Sequence, residues 1–167
     1  MKIGIIYSSV TGNTEKIAIA LKNRILDAEL LKLEDIHNLD KFQILIIGYW
    51  VNKGTANVKI QKLLKSIVNK KIAVFGTSGQ YPESSRAKKY LDRVKILVEE
   101  NNVYLGGFIC QGKIKEERTE KRMKILKGNS HYLDNDGYKR HLESRKHPNN
   151  VDIDGAILWI ENIIKSH

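Results

Sequence analysis

Between an apolar run at Ile3 to Tyr7 and the first segment of helical period, the chain reads Ser8-Ser9-Val10-Thr11-Gly12-Asn13-Thr14. A loop that runs straight into a helix presents unpaired backbone N–H groups and the positive end of the helix dipole. Hydroxyls at Ser9, Thr11 and Thr14 then complete a phosphate cradle that needs no cation. Gly12 lets the backbone approach the ligand closely. A P-loop requires Lys directly after its second Gly, and the dinucleotide fingerprint requires three spaced glycines; this loop has neither. Tyr7-Ser8-Ser9 also lacks the acids that a phospho-acceptor site needs at the end of a first strand. The purely structural alternative is a Ser/Thr-rich turn with Asn13 or Thr14 as helix N-cap.

Two further stretches carry candidate ligand contacts. Gly48-Tyr49-Trp50-Val51-Asn52-Lys53-Gly54-Thr55 puts large aromatic side chains just beyond an apolar run, and Gly76-Thr77-Ser78-Gly79-Gln80-Tyr81-Pro82 does the same with Tyr81. Trp50 taken alone reads as a core or interface residue, and Tyr81 as a turn tyrosine ahead of Pro82. Cys110 is the single cysteine, which excludes an internal disulfide framework and a Cys-rich metal or iron–sulfur site. At the end of an apolar run it reads as a small buried hydrophobe. His131, His141 and His147 fall at irregular spacing in a charged stretch without a metal-ligand signature.

These loops need a scaffold, and the rest of the sequence supplies one. Strand-like runs at Ile3 to Tyr7, Glu29 to Leu33, Phe42 to Gly48, Ile72 to Gly76 and Val103 to Cys110 alternate with helical periods. The periods are Ile17, Leu21, Ile25; Ile60, Leu63, Leu64, Ile67; and Ala87, Leu91, Val94, Val98. A last helix carries Ile153, Ala156, Ile157, Ile160, Ile163 and Ile164 on one face, with Asp152 placed to cap it. Such alternation predicts a parallel sheet covered by helices on both faces, an α/β fold with ligands at the carboxyl ends of the strands. At 167 residues the chain fits one domain. Residues 111–150, highly charged and interrupted by Gly128, Gly137 and Pro148, predict a weak helix, a loop and a second short helix ending before Pro148.

Ser9-Val10-Thr11-Gly12-Asn13-Thr14, set between a first strand and a first helix, resembles the FMN phosphate loop of flavodoxins, Ser/Thr-x-Thr-Gly-x-Thr. The resemblance runs from Met1 to the last helix. It implies a doubly wound sheet of five parallel strands in the order 2-1-3-4-5 and non-covalent FMN. Trp50 would form one face of the flavin sandwich, with Tyr49 as fallback. The loop Gly76 to Gly79 would offer backbone N–H groups to the pyrimidine edge, and Tyr81 would cover the other face. Tyr49-Trp50 with Lys53-Gly54-Thr55, Tyr81-Pro82, Cys110-Gln111-Gly112-Lys113 and His147-Pro148 resemble a branch of short flavodoxin-like proteins associated with partners of anaerobic reductases such as bilirubin reductase. Two departures stand out. Flavodoxins surround the flavin with acids where this chain has Lys53, which implies a less negative potential, and Val51 follows the aromatic where Gly is usual.

The function implied is electron transfer from a reductase to an acceptor enzyme, with no catalytic acid–base side chain required. The alternatives are an FMN-dependent oxidoreductase acting on a quinone, porphyrinogen or other small molecule, with residues 111–150 building its pocket, and a flavin-free binding module. Composition sets outer bounds. Forty-one per cent hydrophobic residues is a globular composition, no apolar run reaches membrane-spanning length, and no leader pattern precedes Ile3, so a cytoplasmic protein is expected. The net charge of +10 is concentrated: Lys53 to Lys95 holds 11 Lys/Arg against two acids, and Gln111 to His147 holds 11 against six. That pattern suits solubility or an acidic docking partner. Without interleaved aromatics, a helix-turn-helix or an RNP-type motif, it does not point to specific nucleic-acid binding.

Overall fold

Runs rich in Ile, Leu and Val hold their places in a sheet only where both faces are covered, and β1 (Ile3–Tyr7) is buried at all five positions. The computed structural model describes residues 1–36 and 38–167. After β1 come α1 (Asn13–Arg24), β2 (Ala28–Lys32), β3 (Ile44–Asn52), β4 (Thr55–Ala56) and α2 (Val58–Ser66). They are followed by β5 (Lys71–Ser78), α3 (Ser85–Glu99), β6 (Val103–Gln111), α4 (Glu116–Met123), α5 (Asn135–Ser144) and α6 (Asn150–Lys165). Five strands pair in parallel in the order β2-β1-β3-β5-β6, which is the order 2-1-3-4-5 expected for the five predicted strands.

Alternation along the strands divides the core in two. Ile5, Ile44, Ile46 and Phe75 pack against Ile17 and Leu21 of α1 and Ile160 of α6. Leu45, Ile47, Tyr49 and Val74 pack on the opposite face against Ile60 and Leu64 of α2 and Val94 and Val98 of α3. The chain therefore winds one way from β1 to β2 and the other way from β3 onward, which opens a crevice at the carboxyl ends of β1 and β3.

Three details differ from the sequence reading. Strand β3 does not stop at Gly48 but continues through Trp50 to Asn52. There it turns back into β4, which pairs antiparallel through Val51 with Ala56 and Asn52 with Thr55. The turn residues Lys53 and Gly54 both have positive φ, 50° and 81°, as a type I′ hairpin requires. Finally, α6 is capped by Asn149, whose side chain accepts from the N–H groups of Val151 and Asp152, while Asp152 returns the bond as the third helical residue.

Candidate functional site

The loop after β1 is braced so that its hydroxyls keep their hydrogens. Ser9 Oγ accepts from the Gly12 amide at 3.1 Å, and Thr11 Oγ1 accepts from the Asn13 side-chain amide at 3.1 Å. Each oxygen is used as an acceptor, so each O–H remains free to donate. The buried Thr14 and Thr77 hydroxyls lie 2.9 Å apart, and of their two hydrogens one joins the pair and the other stays available. Gly12 takes φ 88° as the N-cap of α1, so no side chain covers the first turn of that helix. The start of α1 thus joins open amides to hydroxyl donors, the chemistry of an anion site.

A cleft of about 640 Å³ opens beside this loop. Ten of the eighteen candidate cofactor contacts line it: Val10, Thr11, Asn13, Trp50, Asn52, Lys53, Gly54, Thr77, Ser78 and Gly79. The hairpin explains the position of Trp50, since extending β3 past the sheet edge carries the half-buried indole to the cleft wall. Its Nε1–H is buried and has no hydrogen-bond partner among the described residues.

The other eight lie elsewhere. Ser8 is buried, donating its amide to the Gly48 carbonyl and accepting from Asn57 Nδ2 at 3.1 Å. Ser9, Gly12 and Thr14 form the loop's frame through the bonds just described. Thr55 faces Asn52 across the hairpin. Tyr49 is fully buried in the α2/α3 core, because in a strand it must point away from the face that carries Trp50. Burial pushes its phenol pKa well up. Gly76 lies over that ring. The Tyr81 carbonyl accepts from the amide and hydroxyl of Ser84, the N-cap of α3, and the side chain is not on the cleft lining, where the second aromatic is Tyr90.

The remaining wall comes from the end of β6 and from α4 and α5. Asn13 Nδ2 donates to the Lys113 carbonyl at 3.1 Å, and Arg140 Nη1 donates to the Gly79 carbonyl at 2.8 Å. The Ile114 amide donates to Ser144 Oγ at 3.0 Å, and Thr119 Oγ1 lies 3.0 Å from His141 Nδ1. Of the lining residues contributed here, Ile114, Arg118, Arg122 and Arg140 are not singled out individually by the sequence; they fall in the segment 111–150 that the oxidoreductase alternative assigns to a pocket. Cys110 is 1% exposed, and burial raises its thiol pKa, with Asp152 adding to the effect, so no thiolate is available at neutral pH. Among the described residues no group of His, Cys, Asp or Glu is arranged to hold a metal ion.

His141 supplies a pH dependence. Burial first, then the neighbouring Arg140, Arg122, Arg118 and Arg145, holds its pKa down at about 4. An unfolded His takes its proton near 6.5. From pH 6.5 down to about 4 the unfolded chain therefore binds more protons than the folded one, and stability falls, whereas above 6.5 this group has no effect. Urea midpoints measured across pH 7 to 4 are expected to decline less steeply in His141→Gln than in the wild type. Parallel curves would remove His141 as the source.

Residues 4–161 match the family model described as a flavodoxin domain. The flavodoxin-like domain-containing protein BilS of Clostridioides difficile is 34% identical over 174 residues, covering 98% of this chain and 97% of its own. A protein of the same name from Clostridium symbiosum is 25% identical over 147 residues, 77% of each chain. Among solved structures, the Fusobacterium nucleatum flavodoxin bound to flavin mononucleotide aligns with a TM-score of 0.61 at 16% identity, over 99% of this chain and 98% of that one. Among the described residues no helix is long and apolar enough to cross a membrane.

Proposed function

The chain belongs to the flavodoxin domain family, and from that premise we propose that it binds FMN as one domain and serves as an electron carrier between a reductase and an acceptor enzyme. The observation that supports this most is the junction of two features at the β1/β3 crevice: a hydroxyl- and amide-lined loop at the start of α1, and Trp50 on the wall beside it. The first suits a phosphate, and the second suits a planar ring. The volume lies in the ordinary range for cofactor clefts. FMN would supply the electron-transfer chemistry, while the chain's own residues bind, orient and electrostatically tune it. Val10, Thr11, Asn13, Trp50 and Thr77 to Gly79 are the contacts we assign. Lys53, exposed at the hairpin turn, and the basic stretch after it favour a partner with an acidic docking face.

Titration of the flavin-free protein with FMN tests the reading. Trp50 fluorescence is expected to be quenched at one equivalent. Trp159 on α6, whose ring packs 5.9 Å from Phe108, serves as the internal reference. Trp50→Ala is expected to raise the FMN dissociation constant about tenfold, in line with about 1.4 kcal/mol for one aromatic stack. Unchanged affinity and flavin spectrum would place Trp50 outside the site.

A second reading, an FMN-dependent oxidoreductase with its own small-molecule substrate, is favoured by one observation. Helices α4 and α5 do not merely flank the fold; residues of both line the cleft. Turnover of NAD(P)H with a small-molecule acceptor, without any added reductase, supports this second reading, and its absence supports the carrier.

A further inference from the structure

The charge inside the cleft exceeds what the reading above uses. Among the described residues, seven Lys or Arg line it against a single carboxylate, Glu117. None of the seven takes part in a salt bridge among the described residues. Arg122 and Arg140 are half-buried. Desolvation lowers the pKa of both, and Arg118 beside Arg122, and Arg122 and Arg86 beside Arg140, lower them further. Like charges brought together at a partly desolvated wall destabilise the fold unless an anion offsets them. The FMN phosphate is already provided for by the start of α1, and the arginines belong to a different wall, where Arg140 is fixed by the Gly79 carbonyl.

We propose that the α4/α5 wall of the cleft is a subsite for a small molecule bearing two or more carboxylate or phosphate groups, held chiefly by Arg118, Arg122 and Arg140. This rests on the flavin reading only in making that molecule the substrate class of the oxidoreductase alternative. Guanidinium groups suit the task because their planar fork pairs with both oxygens of a carboxylate or phosphate. Recess favours a small molecule over a protein. Acidic side chains on a partner's surface would meet the exposed Lys113, Lys115 and Lys121 first, whereas Arg122 and Arg140 are reached by a group that enters the cleft.

Calorimetric titration with citrate and with inorganic pyrophosphate, at ionic strength held constant with chloride, tests the proposal on FMN-loaded and flavin-free protein. A saturable isotherm with at least one of the two is expected, the stronger ligand indicating whether carboxylate or phosphate is preferred. Arg122→Gln, which removes a guanidinium that makes no hydrogen bond or salt bridge among the described residues, is expected to weaken it at least tenfold while changing FMN affinity less than threefold. Arg140→Gln adds a second check, with circular dichroism verifying that loss of the Gly79 contact leaves the fold intact. The absence of saturation with either polyanion, or an isotherm unaffected by Arg122→Gln, would overturn the proposal. So would displacement of the polyanion by stoichiometric FMN, which would return the arginines to the cofactor site. Failure to take up FMN would sink the flavin reading alone, since the isotherm on the flavin-free protein still decides the subsite.

Discussion

Replacing Thr11 and Thr14 together by alanine is expected to weaken FMN binding by about 10²-fold or more and riboflavin binding far less. Each hydroxyl that donates to a phosphate makes a charge-assisted bond contributing about 1.5–3 kcal/mol, and riboflavin has no phosphate to receive it. The geometry separates the two roles. Thr11 lines the cleft and keeps its hydrogen free, since its oxygen accepts from Asn13. Thr14 is buried and acts through Thr77, each orienting the other across 2.9 Å. Thr14→Ala alone therefore also removes an internal hydrogen bond, with a stability loss of about 1 kcal/mol that urea denaturation measures separately. Equal losses of FMN and riboflavin affinity would show that the loop does not hold the phosphate.

Gly48→Ala is expected to cost about 3 kcal/mol or more of stability, at or beyond the upper end of ordinary overpacking. Gly48 in β3 pairs with Phe75 in β5, and a Cβ there would lie well inside van der Waals contact with Phe75 Cζ. The next pair repeats the arrangement on the other face, with a Cβ at Gly76 only 2.6 Å from Tyr49 Cζ. Both rings are buried in packed clusters and have no room to retreat. Gly155→Ala makes the opposite prediction: it lies inside α6, where a Cβ meets Phe108 at 3.4 Å, an ordinary contact. A gain of about 0.5–1 kcal/mol is expected from helix propensity there. Similar urea midpoints for the two variants would mean that the glycine–aromatic pairs are not as tight as their geometry indicates.

The sheet was legible because its strands are buried on both faces and so read as continuous Ile/Leu/Val runs, as in Ile44 to Ile47. The Ser8 to Thr14 loop stands out in the sequence because few loops bring three hydroxyls and a glycine to a helix start. The end of β3 does not. Tyr49-Trp50-Val51-Asn52 looked like a loop, because strand β4 is two residues long and the pairing that defines the hairpin is local. Alternation along the hairpin separates Tyr49, which shares a face with Leu45 and Ile47, from Trp50. The α4/α5 wall is foreshadowed only as a segment, residues 111–150, and not residue by residue. Arg118, Arg122 and Arg140 read as solvated charge, and only the tertiary contacts of Arg140 with Gly79 and of Thr119 with His141 turn their helices toward the cleft.

Neither hydrophobic cluster contains a residue between Gly112 and Asp152, so α4 and α5 are held to the molecule chiefly by polar ties such as those of Ser144 and Arg140. Elements secured without a share of the core open at lower free energy than the global fold. In deuterium exchange, the amides of Glu116–Met123 and Asn135–Ser144 are expected to be replaced well before those of β1 and β3. Measured over time, the cleft then has one wall that persists for the lifetime of the fold and another that opens many times within it, so the residence time of an enclosed molecule follows the opening rate of α4 and α5.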